Sequence, residues 1–129
     1  MGRGLVLAGM LALSALVSAA ADAPVSPRID VAEAAKLVAA KQAVVIDTRS
    51  PERYRMLHIP GAINVPLGQE KSWADQLKKE TRTIITYCTC SEEQTALASA
   101  RSFDGLGVKN VRALRGGLGE WQKQGQPLE

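Results

Sequence analysis

The sequence predicts an α/β domain with a parallel sheet of four to five strands and helices on both faces. Three observations carry that prediction. Two short continuous apolar runs, AVVID at 43–47 and TIITYC at 83–88, suit strands buried on both faces of a parallel sheet. Segments with helical period separate them. The two patterns alternate from residue 30 to the end, as a parallel α/β arrangement requires. With 129 residues the chain has room for one domain and not two.

The elements follow in order. Residues 1–21, MGRGLVLAGMLALSALVSAAA, carry Arg3 as their one charge and an apolar stretch over 5–17. They end in Ala19-Ala20-Ala21 before Asp22. This is the layout of a secretory signal peptide with an A-x-A cleavage pattern. The apolar stretch is too short to span a bilayer. A buried helix of the fold and an uncleaved anchor are the competing readings. The signal implies a periplasmic or secreted protein. Residues 22–29, with Pro24 and Pro27, read as a linker, and the domain occupies 30–129.

Asp30 is placed as an N-cap, with Glu33 completing a capping box. A helix follows, with Val31, Ala34, Ala35 and Val38 on one face. After the strand at 43–47, Pro51 opens a helical turn that runs to about Leu57. Ile59-Pro60-Gly61-Ala62 is a turn signal. A short strand at 63–65 stops at Pro66. A modest amphipathic helix over 72–79 offers Trp73, Ala74 and Leu77 for packing. The strand at 83–88 leads into an alanine-rich helix over 95–103. A glycine-containing connector over 104–109, a strand over 110–114 and a turn at Gly116-Gly117 follow. A last helix over 118–124 carries Trp121.

The net charge of +3 is dispersed, and Lys78-Lys79 is the one adjacent basic pair. With few aromatic residues and no basic stripe, the chain does not describe a nucleic-acid groove. One histidine and two cysteines fall short of a tetrahedral zinc site. An exported domain with two cysteines would ordinarily hold a structural disulfide. Cys88 and Cys90 close a trivial loop, however, so their spacing argues against a structural staple.

The chemistry is concentrated at 83–95. A β-branched strand ends in cysteine, a short polar loop follows, and a helix begins. That order brings a thiol to the N-terminal amides of a helix, where negative charge is stabilised. Such a site lowers a thiol pKa and makes the sulfur a nucleophile. Ligands of parallel α/β sheets gather at the carboxyl ends of the strands, where both Asp47 and the Cys88/Cys90 pair lie.

Three blocks carry a family pattern. VIDTRSPERYRMLHIPGAINVP at 45–66 holds D-x-R, the aromatic Tyr54, H-I-P-G-A and N-V-P. The strand–cysteine–loop–helix is the second block. Asn110-Val111 followed by LRGGLGEW is the third. With these, the sequence resembles the rhodanese (thiosulfate sulfurtransferase) domain family in its single-domain form, from about residue 30 to residue 121. One departure is Leu57, which stands where the family has glycine before the histidine.

The resemblance implies a short active loop with cysteine first and Thr, Ser or Arg last. Counting from Cys90 makes Thr95 last and keeps the family spacing through 107–111. Counting from Cys88 ends on Glu93 and delays everything after it. Cys90 is therefore the expected nucleophile, with Cys88 as the second candidate or a resolving thiol, in a C-x-C variant of the loop. The implied reaction moves a sulfane sulfur from thiosulfate or a persulfide through a Cys90 persulfide to a thiol or cyanide acceptor. Backbone amides of Ser91, Glu92, Glu93, Gln94 and Thr95 would cup the transferred sulfur. The side chains of Glu92 and Glu93 are expected to face solvent, where the helix dipole favours them.

Arg53 matches an arginine associated with substrate in longer rhodaneses and is the candidate for holding an anionic donor. Asp47, Arg49 and His58 are read as structural residues near the site. No metal or organic cofactor is called for. The expected partners are the small sulfur donor and acceptor, with a thiol protein as a further one, and neither nucleic acid nor, after signal cleavage, membrane. Two other functions compete. One is thiol–disulfide redox chemistry by the Cys88/Cys90 pair. The other is a non-catalytic module that binds sulfur or a partner. Phosphatase relatives of this fold use a longer loop ending in arginine, which this loop lacks.

Overall fold

The computed structural model describes Gly2, Gly4 and residues 27–129. Apart from Gly2, Gly4 and residues 27–29, the signal-peptide and linker expectations lie outside the described residues. The elements run β1 (Arg28–Ile29), α1 (Val31–Ala39), β2 (Ala43–Asp47), α2 (Pro51–Met56), β3 (Ile63–Asn64), α3 (Lys71–Leu77), β4 (Thr83–Tyr87), α4 (Gln94–Gly105), β5 (Val111–Leu114) and α5 (Gly117–Lys123). The five strands form one sheet in the order β1-β5-β4-β2-β3, and each neighbouring pair is parallel. Among the described residues no helix is long and apolar enough to cross a membrane.

Alternation along the strands sorts the core into two layers. Val45, Ile85, Tyr87 and Leu114 face one side, where Val31 and Ala34 of α1 and Leu118 and Trp121 of α5 cover them. Ile46 and Ile84 face the other side, against Ala74 and Leu77 of α3 and Phe103 of α4. Neither AVVID nor TIITY leaves a polar face, because helices cover the sheet from both sides. Ile46 and Ile84 are fully buried, and each such side chain contributes about 1.5–3 kcal/mol to folding.

The register sets the site. β2 and β4 pair from Ala43↔Thr83 to Asp47↔Tyr87, so their carboxyl ends finish level. From β2 the chain moves outward to β3, and from β4 it moves the other way to β5. The point between β2 and β4 is thus where the winding reverses, and a crevice opens there outside the strand ends.

Some local expectations need correction. Residues 28–29 are an edge strand against β5 and not linker, because Arg28 and Ile29 pair with Ala113 and Leu114. A two-residue strand after Pro27 has too little length to show a period. Asp30 stands at the N-cap of α1 without a side-chain cap bond. Its carboxylate accepts from Arg115 Nε at 2.8 Å instead, and Glu33 accepts from Arg112 at 3.0 Å. α3 starts and ends before the predicted helix, and α4 is longer than predicted at both ends.

Candidate functional site

The base of the site is a buried polar cluster at the end of β2. Asp47 is fully buried and accepts from the Arg49 amide at 2.9 Å. It also accepts from Arg49 Nη2 and from the Tyr87 hydroxyl, both at 2.7 Å. A buried carboxylate is tolerable when satisfied in this way. Burial draws the Arg49 pKa down, but the hydrogen bond to Asp47 and its charge outweigh that and hold it raised. Burial first, and then the hydrogen bond to Asp47, push the Tyr87 phenol well above its ordinary range.

This cluster also sets the turn that carries His58. Arg49 Nη2 donates to the Leu57 carbonyl, and the Tyr87 oxygen accepts from the Ile59 amide at 3.1 Å. Leu57 has φ −167°, an extended backbone open to any residue, so leucine serves where the family has glycine. His58 stacks on Tyr54 and contacts the Tyr54 carbonyl through Nδ1 at 2.7 Å and Glu129 through Nε2 at 3.2 Å.

Above this base lies the cysteine loop. The Tyr87 carbonyl accepts from the Thr48 amide and hydroxyl, which clamps the ends of β2 and β4 together. Cys88 comes next. It is 2% exposed and packs on Ala96, Leu97 and Ala113. Its carbonyl accepts from the Leu118 amide at 2.9 Å. Gly117, at φ 58°, presses so closely on that carbonyl that a Cβ would collide with it. Cys90 is half-buried. A disulfide joins it to Cys88, with the two Cα atoms 5.7 Å apart. The spacing argument against a staple keeps its force, since the bridge encloses one residue, Thr89.

A cavity of about 350 Å³ brings together Cys88, Cys90, Thr95, Arg49 and Arg53. Arg53 reaches across from α2 and donates to Thr89 Oγ1 at 3.3 Å. Ser91, Glu92, Glu93 and Gln94 border a second cavity of about 410 Å³ that also carries Arg28, Arg101 and Arg115. Asp47 and His58 do not line the first cavity.

Glu93 departs from expectation. Glu92 is exposed, as predicted, but Glu93 is buried. Its carboxylate accepts from the Gly116 amide at 2.6 Å and pairs with Arg28 Nε at 3.0 Å. Its backbone is left-handed, φ 56° and ψ 26°, and its amide donates to the Cys90 carbonyl at 3.3 Å. That conformation turns the side chain under the loop, where two donors satisfy it. With Glu93 committed to Arg28 and Gly116, α4 starts without a side-chain cap. The roles of Tyr87 and Arg28 escaped the sequence reading. Alternation past Ile85 places Tyr87 on a buried face beside the cysteine, which was the available signal for it. Arg28 gave none.

Among the described residues no group of three or more His, Cys, Asp or Glu could hold a metal ion.

A parallel α/β domain with a cysteine loop at the carboxyl end of its central strand defines a class, and comparison with known proteins agrees with it. The model of the rhodanese-like domain matches residues 30–124, and the chain belongs to that family. It is 34% identical to an HTH-type transcriptional regulator of Mycobacterium tuberculosis, over 91% of this chain and 52% of that protein. It is 30% identical to the thiosulfate sulfurtransferase GlpE of Pseudomonas entomophila, over 70% of this chain and 80% of that protein. The BH2092 protein of Bacillus halodurans superposes with a TM-score of 0.71 at 30% identity, over 81% of this chain and 77% of that one. The chain spans about half the length of the regulator and less of several other relatives. Sulfurtransferases are among the relatives.

Proposed function

We propose that this chain is an exported sulfurtransferase that moves a sulfane sulfur through a persulfide on Cys90. The observation that carries the reading is the cavity at the reversal of the sheet, where Cys90 meets Thr95 at the start of α4 and Arg53 from α2. Cys88 is packed among Ala96, Leu97 and Ala113, whereas Cys90 is the cysteine with solvent access. This favours the register in which Cys90 opens the active loop and Thr95 closes it.

The reaction starts once the Cys88–Cys90 bridge is reduced. The Cys90 thiolate attacks the outer sulfur of thiosulfate, the S–S bond breaks, and sulfite leaves with the bonding pair. Cys90 keeps the transferred sulfur as a persulfide. Main-chain amides of residues 91, 92, 94 and 95 solvate the negative sulfur, the Glu93 amide being held by the Cys90 carbonyl, with help from the uncapped first turn of α4. Arg53 attracts and orients the anionic donor. A thiol or cyanide then attacks the outer sulfur and restores the Cys90 thiolate. Asp47 and Tyr87 hold the strand ends in place without lining the cavity, and Arg49, paired with Asp47, also forms part of its wall. Export rests on residues 1–21, whose charge, apolar stretch and A-x-A ending follow a signal peptide, giving a periplasmic or secreted domain.

The test is mass spectrometry of the reduced protein after exposure to thiosulfate. Sulfite release is expected and Cys90→Ser should lose it, while in Cys88→Ser a sulfur added at the Cys90 position is expected. Sulfite release that survives in Cys90→Ser assigns the nucleophile to Cys88 and refutes this register.

A further inference from the structure

Resting on the reading of Cys90 as the persulfide carrier, we propose that Cys88 resolves that persulfide. The chain then reduces sulfane sulfur to hydrosulfide, with a dithiol as the electron donor. Three observations converge on this. Cys88 is 2% exposed and walled by Ala96, Leu97 and Ala113, so it is poorly placed to meet a donor from solution. Its sulfur is nevertheless bonded to that of Cys90, and the 5.7 Å Cα separation lies within the span that two cysteines bridge without backbone movement. Both residues are also tethered to one turn. Leu118 and Gly117 hold the Cys88 carbonyl. The Cys90 carbonyl is held by the Glu93 amide, and the Glu93 side chain by Gly116. These contacts hold the main chain on either side of the pair without drawing on the bridge itself.

A bridge that encloses one residue does little for the architecture, so stability does not account for a second cysteine here. Proximity does. Well-oriented intramolecular reactions reach effective concentrations of about 10⁵–10⁸ M, and a small fraction of that outruns any thiol in solution. Once the persulfide forms, the Cys88 sulfur attacks Cys90 Sγ and the bond from Sγ to the outer sulfur breaks. Hydrosulfide leaves, carrying the bonding pair and the proton of the Cys88 thiol. The two cysteine sulfurs are oxidised to the disulfide, and the transferred sulfur is reduced. The sum is thiosulfate plus a thiol and a thiolate giving sulfite, hydrosulfide and a disulfide. A dithiol reductant then opens the bridge by exchange and takes the oxidation away. The Cys88–Cys90 disulfide of the structure is the bond that this second step would form.

The experiment is a single turnover. The full chain is reduced, freed of reductant without air, and mixed with thiosulfate in the absence of any other thiol. Expected are about one equivalent each of sulfite and hydrosulfide per chain, and peptide mapping of a Cys88–Cys90 disulfide. In Cys88→Ser, hydrosulfide should fall at least about tenfold while the persulfide stays on Cys90. Wild-type protein that releases sulfite but retains a persulfide on Cys90, with no hydrosulfide, overturns the resolving role and leaves the Cys90 reading standing. Absence of sulfite overturns that reading and this one together. The wild-type measurement decides the matter even if Cys88→Ser does not fold.

Discussion

At the scale of single residues, two side chains separate architecture from chemistry. Tyr87 belongs to the architecture. Its hydroxyl donates to Asp47 and accepts from the Ile59 amide, so it links β2, β4 and the turn before β3. Tyr87→Phe leaves the Ile59 amide without its acceptor and takes one donor from Asp47, which keeps Arg49, and a loss of about 1–3 kcal/mol in urea unfolding at neutral pH is expected. The same residue predicts a pH dependence. Burial, and then Asp47, raise the phenol above its unfolded value of 10.0, so the folded chain keeps a proton that the unfolded chain gives up. The stability this confers is complete below about pH 10 and is lost as the pH climbs beyond it, at about 1.4 kcal/mol per pH unit. Tyr87→Phe should flatten that limb of the stability profile, and an unchanged slope would count against the assignment. Arg53 is the residue proposed for the chemistry. It is exposed, its one hydrogen bond to Thr89 is long, and it fronts the cavity. Arg53→Ala should raise KM for thiosulfate by roughly two- to fivefold, with kcat moving less, as suits an exposed charge. Steady-state kinetics with an unmoved KM would remove Arg53 from the donor site.

Between elements, the junction that matters joins the cysteine loop to the turn between β5 and α5. Gly117 lets α5 start against the Cys88 carbonyl, and Gly116 gives its amide to Glu93. Gly117→Ala combines a left-handed backbone with a collision against main chain, so it should cost at least about 1–3 kcal/mol and disturb the loop together with the fold. Differential scanning calorimetry reads the first effect and single-turnover sulfite release the second. This junction also marks where sequence reading succeeds and fails. The two buried strands and the helices between them declare themselves through period and composition. The Gly-Gly turn announces a backbone demand but not its cause, because the cause is a carbonyl almost thirty positions upstream. Glu93 misleads for the same reason. A carboxylate at the start of a helix belongs in solvent by local rules, and its two partners, Arg28 and Gly116, are brought to it by folding. Arg28 is invisible for a further reason: its strand is two residues long and pairs only because β5 offers an edge.

Across the whole molecule, the disulfide sits at the reversal of the sheet, and what it does for overall stability distinguishes a staple from a reactive pair. A bridge stabilises chiefly by restricting the unfolded chain, and the restriction grows with the loop enclosed. The loop here is Cys88-Thr89-Cys90, against which the loop-entropy estimate gives about 1.6 kcal/mol, while a loop of about 100 residues would give about 4.7 kcal/mol. The native side supplies the rest of the stability without it, through two layers of buried side chains and a Cys88 held by Leu118 whether bridged or not. Guanidinium unfolding with and without a dithiol reductant should therefore give free energies that differ by no more than about 1.6 kcal/mol, with equal m-values. A fall of several kcal/mol on reduction would make the bridge part of the scaffold, and a scaffold bond could not open and close at each turnover. A small difference leaves the fold intact in both redox states, which is the condition for a thiol pair that cycles while the sheet beneath it stays fixed.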